Sequence, residues 1–278
     1  MDLQQRVEWR DRQVAWERMG SGPPVVFCHG TPFSSRVWAP FAEALVDQYS
    51  VYLWDMPGYG QSSKTAEHAV DFGVQGELLA DLIGAWGLDR PHVIAHDFGG
   101  AVSLRAHLLH GAAYASLMLV DVVAVPPTGS PFFKFVQSHP DVMPQIPAYI
   151  HAAILPAYIQ GASHRGLRDA DVRELVAPWT TEDGQAAFYR QIAQTYERYL
   201  EEIEARLGDV AIPVRIVWGA EDGWIAPDVA RHLRDLIPGA TLRIVDGAGH
   251  LVQYDAGVAL ANELRSWLAT QTHAGPPS

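Results

Sequence analysis

The amino-acid sequence predicts an α/β protein: a mostly parallel central sheet with helices on both faces and a helical cap inserted into it. Three observations carry this. Short apolar runs rich in Val, Ile and Leu, bounded by turn residues, alternate with helix-like stretches. Most of these runs lack the polar/apolar alternation of a half-exposed strand, as strands buried on both faces do. The rhythm then stops after Val123 and returns only near Ile212.

Along the chain, QVAWERMG (13–20), PPVVFCHG (23–30) and SVYLWDMPG (50–58) read as strands closed by glycine-containing turns. VQGELLADLIGAWGLD (74–89) reads as a helix, PHVIAHD (91–97) as a strand, and FGGAVSLRAHLLHG (98–111) as a helix stopped at Gly111. SLMLVDVV (116–123) is the next strand, and IPVRIVWG (212–219) and TLRIVDG (241–247) are the last two. Between them lies a proline-punctuated, aromatic-rich, helical region. The expected organisation is therefore a core in two parts, 1–125 and 208–278, split by a cap at 126–207.

Composition narrows the function. The 278 residues are 48% hydrophobic, enough for a full core and too apolar for disorder. With 32 acidic against 20 basic residues the net charge is −12, which argues against nucleic acid or an anionic membrane as partner. Cys28 is the only cysteine, so no intramolecular disulfide can form, and it is expected to fill space at the end of a buried strand. MDLQQRVEWRDRQ holds no apolar run of signal-peptide length, and no segment approaches the roughly 20 apolar residues of a membrane span. A cytoplasmic location is expected, with a frayed tail at THAGPPS (272–278).

The chemistry concentrates at VIAHDFGG (93–100). This is the small-x-nucleophile-x-small form of a nucleophile elbow, a sharp strand-to-helix turn that displays one side chain above a sheet. The displayed residue is Asp97 rather than serine. A carboxylate is anionic at neutral pH and can displace a leaving group from saturated carbon, leaving an ester on the enzyme. HGTPFSS (29–35) follows a predicted strand, and the N–H groups of Thr31 and Phe98 are placed to form an oxyanion hole. Asp222, in VWGAEDGWI, lies past one predicted strand and His250, in VDGAGHLVQ, past the next. The order nucleophile, acid, histidine is that in which the acid fixes the imidazole and the imidazole serves as general base. Asp121, in LVDVV, is the rival for the acid role; Glu221 reads as solvated, and His96 as a support for the elbow. The other histidines show no metal-ligand spacing, and neither metal nor cofactor is expected.

With HGTPFSS, WDMPGYGQSS (54–63), AHDFGG, WGAEDGWI and GAGHLVQ in this order, the chain resembles the α/β-hydrolase superfamily over nearly its whole length. Asp97 further resembles the branch of epoxide hydrolases and haloalkane or haloacetate dehalogenases, whose members form an alkyl ester at aspartate. Haloalkane dehalogenases usually carry Trp after the nucleophile and often Asn after the HG pair as halide donors; here Phe98 and Thr31 stand there. Haloacetate dehalogenases tend to place Arg after the nucleophile, a role open here to Arg105 or Arg190. Epoxide hydrolases protonate the leaving alkoxide with cap tyrosines, and AAFYRQ (186–191) resembles the segment that carries one of them, pointing to Tyr189. For the second, Tyr149 is favoured over Tyr158.

The resemblance thus implies an epoxide hydrolase, with dehalogenation through the same ester as the alternative and Trp179 as the N–H donor that would favour it. His29, Phe33, Trp38 and Trp179 are the expected pocket walls, and the expected ligands are a small, largely apolar organic substrate and water. A non-catalytic binding protein on the same fold is the reading of another class. An intact set of Asp97, Asp222 and His250 argues against it.

Overall fold

The computed structural model describes residues 2–272; the tail expected to fray lies, from residue 273 on, outside the described residues. Strands β1 (Gln5–Trp9) and β2 (Arg12–Met19) form an antiparallel hairpin at one edge. Strands β3 (Pro24–Cys28), β4 (Ser50–Trp54), β5 (His92–His96), β6 (Ser116–Val120), β7 (Val214–Gly219) and β8 (Thr241–Val245) run parallel. The sheet order is β1-β2-β4-β3-β5-β6-β7-β8, with β2 antiparallel to β4.

Every residue of β4, β5 and β6 is buried, which explains why these strands read as unbroken apolar runs. Two edges read differently. β1 has no counterpart among the expected strands: in QRVEW only Val7 and Trp9 face the protein and the rest is exposed, so its signal is two residues long. β8 is partly exposed and alternates as an edge strand does.

Helices α1 (Ala39–Glu43), α2 (Phe72–Ala85) and α3 (Phe98–His110) belong to the first half. The Asp71 carboxylate caps α2 by accepting the N–H of Val74, and α3 ends at Gly111 in the left-handed conformation. Between β6 and β7 come five helices: α4 (Pro131–Ser138), α5 (Ala148–Gln160), α6 (Asp169–Val176), α7 (Glu182–Ala193) and α8 (Arg198–Glu204). Helices α9 (Pro227–Leu236), α10 (Val252–Asp255) and α11 (Gly257–Thr272) complete the chain. No helix among the described residues is long and apolar enough to cross a membrane.

Asp255 ties the helical insertion to the core. One of its oxygens accepts the N–H groups of His164 and Gly249, both at 2.8 Å, and the other accepts the hydroxyl of Ser163 at 2.5 Å. The N–H of Leu251 donates to the carbonyl of Ala162 at 2.9 Å beside it. The loop that carries His250 is thereby fastened to the loop after α5.

Candidate active site

The candidate residues converge at the carboxyl ends of β3, β5, β6, β7 and β8, where parallel sheets place their ligands. Asp97 sits between β5 and α3 with φ 50° and ψ −120°, a conformation an L-residue adopts only under strain. Its neighbours make room for it. A Cβ on Gly30 would lie 2.3 Å from the Cβ of Asp97, and one on Gly99 would lie 2.7 Å from the carbonyl oxygen of Cys28. The elbow therefore requires glycine on both sides of the displayed carboxylate.

The two oxygens of Asp97 have different surroundings. Oδ1 accepts the N–H of Thr31 at 2.6 Å. Oδ2 lies 3.3 Å from Nε2 of His250, close but out of line for a hydrogen bond. Phe98 opens α3, so its N–H belongs to a helix turn whose first donors have no partner within the helix. On the far side of the ring, Nδ1 of His250 donates to Oδ2 of Asp222 at 3.0 Å, while Oδ1 of Asp222 accepts the N–H groups of Trp224 and Ile225 at 2.8 and 2.9 Å. His96 donates from Nε2 to the carbonyl of His250 at 3.0 Å.

Burial alone would lower the pKa of His250; the charge of Asp222, its hydrogen bond and the proximity of Asp97 overcome this and hold the imidazolium well above its usual value. Burial would raise Asp222, but His250 and the two backbone N–H groups leave it below the ordinary carboxylate value. His96 is driven down to about 3 by burial and by the His250 charge, so it is neutral. Asp121 is fully buried at the end of β6 and accepts the N–H of Gly219 at 2.8 Å. Burial and the Asp222 charge push its carboxyl far above the usual range. Of these two acids, Asp222 is the one paired with His250, through Nδ1.

Asp97 opens onto a cavity of about 30 Å³ lined by Thr31, Phe98, Val123, Phe133, Tyr158, Trp224, Ile225 and the segment 128–130. This corrects the expected walls. His29 is engaged internally, donating from Nδ1 to the carbonyl of Gly30 and accepting the N–H of Met56 at Nε2. Trp38 donates to the carbonyl of Cys28 beneath the sheet end, and Trp179 donates to the carbonyl of Pro32 at 2.6 Å, so its N–H is spent. Phe33 stacks behind the cavity on Trp224, with ring centroids 6.1 Å apart. Cys28 is buried at the end of β3, and burial pushes its thiol up to about 12.

The expected tyrosines are also corrected. Tyr149 is 74% exposed. It precedes Tyr158 on α5 by nine residues, about two and a half helical turns, so the two occupy opposite faces. Tyr158 is the one that faces the cavity, stacked on Trp224 at 4.7 Å, its hydroxyl held protonated by burial and by the Asp97 charge. Tyr189 is buried within the insertion and donates to Nδ1 of His151 at 3.1 Å, whose Nε2 donates to the carbonyl of Trp179. Arg105 pairs with Glu202 and the carbonyl of Tyr199, and Arg190 donates to the carbonyl of Lys64. No cation lines the cavity.

Two residues have no counterpart in the sequence reading. Trp224 is two positions past Asp222, and its ring lies 5.0 Å from that of His250. Gln191 on α7 accepts the hydroxyls of Thr31 and Tyr59 at 2.5 and 2.9 Å, joining the insertion to two core loops. Gln191 adjoins the AAFYR segment, but only its bond to Thr31 singles it out.

The arrangement offers an oriented carboxylate, an imidazole held between two acids, backbone donors at one carboxylate oxygen and a phenol across an apolar cavity. Residues 23–257 match the alpha/beta hydrolase fold family. A crystal structure of an alpha/beta hydrolase fold protein from Burkholderia ambifaria is 45% identical with a TM-score of 0.92, covering 95% of this chain and 97% of that one. Fluoroacetate dehalogenase from a Burkholderia species is 34% identical over 108 residues, 37% of this chain and 36% of that protein. N-formylmaleamate deformylase from Pseudomonas putida is 25% identical over 247 residues, 85% of each. On this match, over most of its length, the chain is an enzyme belonging to the alpha/beta hydrolase fold family.

Proposed function

We propose that the protein is an epoxide hydrolase that works through an alkyl ester at Asp97. The observation that carries this reading is the division of labour on the Asp97 carboxylate, with Oδ1 held by the Thr31 N–H and Oδ2 free to attack. Oδ2 attacks an epoxide carbon, the C–O bond breaks, and the Tyr158 hydroxyl gives its proton to the departing oxygen. His250 returns a proton to Tyr158. Esterification consumes the negative charge that raised both His250 and Tyr158, so the imidazole is left neutral and able to take a proton from water. Hydroxide then adds to the ester carbon, the charge on Oδ1 falls to the N–H groups of Thr31 and Phe98, and collapse releases the diol with Asp97 and His250 restored. Removing one such donor costs roughly 3 kcal/mol of barrier in other hydrolases.

Dehalogenation through the same ester is the second reading, favoured by the partial likeness to fluoroacetate dehalogenase. Two features weigh against it. The N–H of Trp179 is engaged by Pro32, and the cavity walls carry no cation for a haloacid carboxylate. The proposed substrate is accordingly small, largely apolar and uncharged.

His250→Gln should stall ester hydrolysis. Incubated with panels of epoxides and haloalkanes, the variant is expected to gain the whole mass of an epoxide. A gain reduced by the elements of hydrogen halide moves the assignment to dehalogenation, and no adduct with any compound returns it to a binding protein. A wild-type single turnover in labelled water should put the label into Asp97; label appearing directly in product would overturn the ester route.

A further inference from the structure

Two carboxyl groups stand behind His250, and only one is used by the chemistry above. Asp121 follows the last residue of β6 with φ 44°, a positive value uncommon outside glycine. Its Oδ1 accepts the N–H of Gly219, and the carbonyl of Gly219 in turn accepts the N–H of Asp222 at 3.3 Å. The carboxyl of Asp121 therefore fixes the start of the turn that presents Asp222. Its Oδ2 is fully buried and receives no donor among the described residues, and after burial the group that bears most on this carboxyl is Asp222. Two carboxyl groups that act on each other in a buried site do not both ionise.

The donors decide which one keeps the proton. Asp222 receives three N–H groups, from His250, Trp224 and Ile225, whereas Asp121 receives one. We propose that Asp121 and Asp222 share a single proton carried on Oδ2 of Asp121, which donates to the Asp222 carboxylate and makes Asp121 a positioning residue for the acid that orients His250. The bond satisfies the oxygen that is otherwise orphaned. It also keeps a second negative charge from accumulating behind the imidazolium. The ionisable groups facing the pair are His250, with Asp97 and the neutral His96 beyond it. A second full charge there would hold the His250 proton too firmly for the ring to act as base once Asp97 is esterified. The inference rests on the proposed roles of His250 and Asp222 and is independent of the substrate.

The free enzyme tests it without turnover. At about pH 7, near the working range of a histidine base, the infrared difference spectrum of wild type minus Asp121→Asn should contain the carbonyl stretch of an un-ionised carboxylic acid. The amide of Asp121→Asn keeps a donor for Asp222 and an acceptor for Gly219. Its circular dichroism, and the pH profile of its turnover on the compound that alkylates His250→Gln, should match wild type, with kcat within about 3-fold. Asp222→Asn should lose about 10⁴-fold, the scale of a triad acid whose partner takes the wrong tautomer. The proposal is overturned if no acid carbonyl band appears, if the band survives in Asp121→Asn, or if Asp121→Asn falls as far as Asp222→Asn. Failure of the epoxide reading would leave the spectrum unchanged, so the two can be told apart.

Discussion

At the scale of single residues, the site is governed by which atoms are already engaged. Tyr158 has a phenol kept protonated by burial and the nearby Asp97 charge, and no hydrogen bond engages it among the described residues. Tyr158→Phe should slow epoxide opening by about 10²–10⁴-fold, the usual contribution of a positioned proton donor. Halide displacement should change little, and Tyr149→Phe should change neither; stopped-flow ester formation separates these outcomes. Gly30→Ala would drive a methyl group into Asp97. A displacement of about 1 Å typically costs 10²-fold, so kcat should fall by roughly that factor while the circular dichroism spectrum is retained. The pH dependence of stability follows from the paired shifts. His250, raised in the folded protein, contributes stability that is full below its ordinary value of 6.5 and lost as pH climbs through its folded value. Asp222, lowered, contributes above 3.8 and loses that contribution as pH falls through its folded value. Urea unfolding of wild type against His250→Gln should show a difference that shrinks on the alkaline side.

At the scale of elements, the separation between what the sequence reveals and what it hides has a physical basis. Buried parallel strands are written as continuous apolar runs, and the residues just past their carboxyl ends are the ones a sheet displays, so Asp97, Asp222 and His250 could be placed from strand positions alone. The hairpin strand β1 could not, because an edge strand buries too few residues to leave a pattern. The insertion is harder still. Its sequence announces helices without giving their rotation about their axes, and half a turn separates the cavity-facing Tyr158 from the solvent-facing Tyr149. Tyr189 and Trp179 fail as site residues for another reason: His151 and the carbonyl of Pro32 have claimed their polar atoms. The joints between elements give their own prediction. Removing the Asp255 carboxylate leaves the buried donors around it unpaired, so Asp255→Ala should cost about 2–4 kcal/mol of stability, the scale of a broken buried network. Urea melts measure that loss. Because the same carboxylate anchors the His250 loop, activity should decline at temperatures where the variant is still folded.

At the scale of the whole molecule, the loops at one end of the sheet carry the candidate groups, and the helices between β6 and β7 attach to the core through a few polar contacts. Gln191 bonded to Thr31 and Tyr59, Trp179 bonded to Pro32, and Asp255 bonded to the loop after α5 are the points of attachment. Between these layers the space at Asp97 is only about 30 Å³. That is room for about two or three waters, since a single water needs roughly 10–15 Å³ on this measure. A molecule of even a few carbon atoms is larger than this half-open space, and the walls beside Asp97 that bear on its entry are the segment 128–130, Phe133 and Tyr158. On the proposed ester route the site is then a narrow vestibule, and how readily its walls yield bears on turnover together with how fast Asp97 reacts. Turnover should accordingly fall as solvent viscosity is raised, while the rate of ester formation from substrate already inside should not.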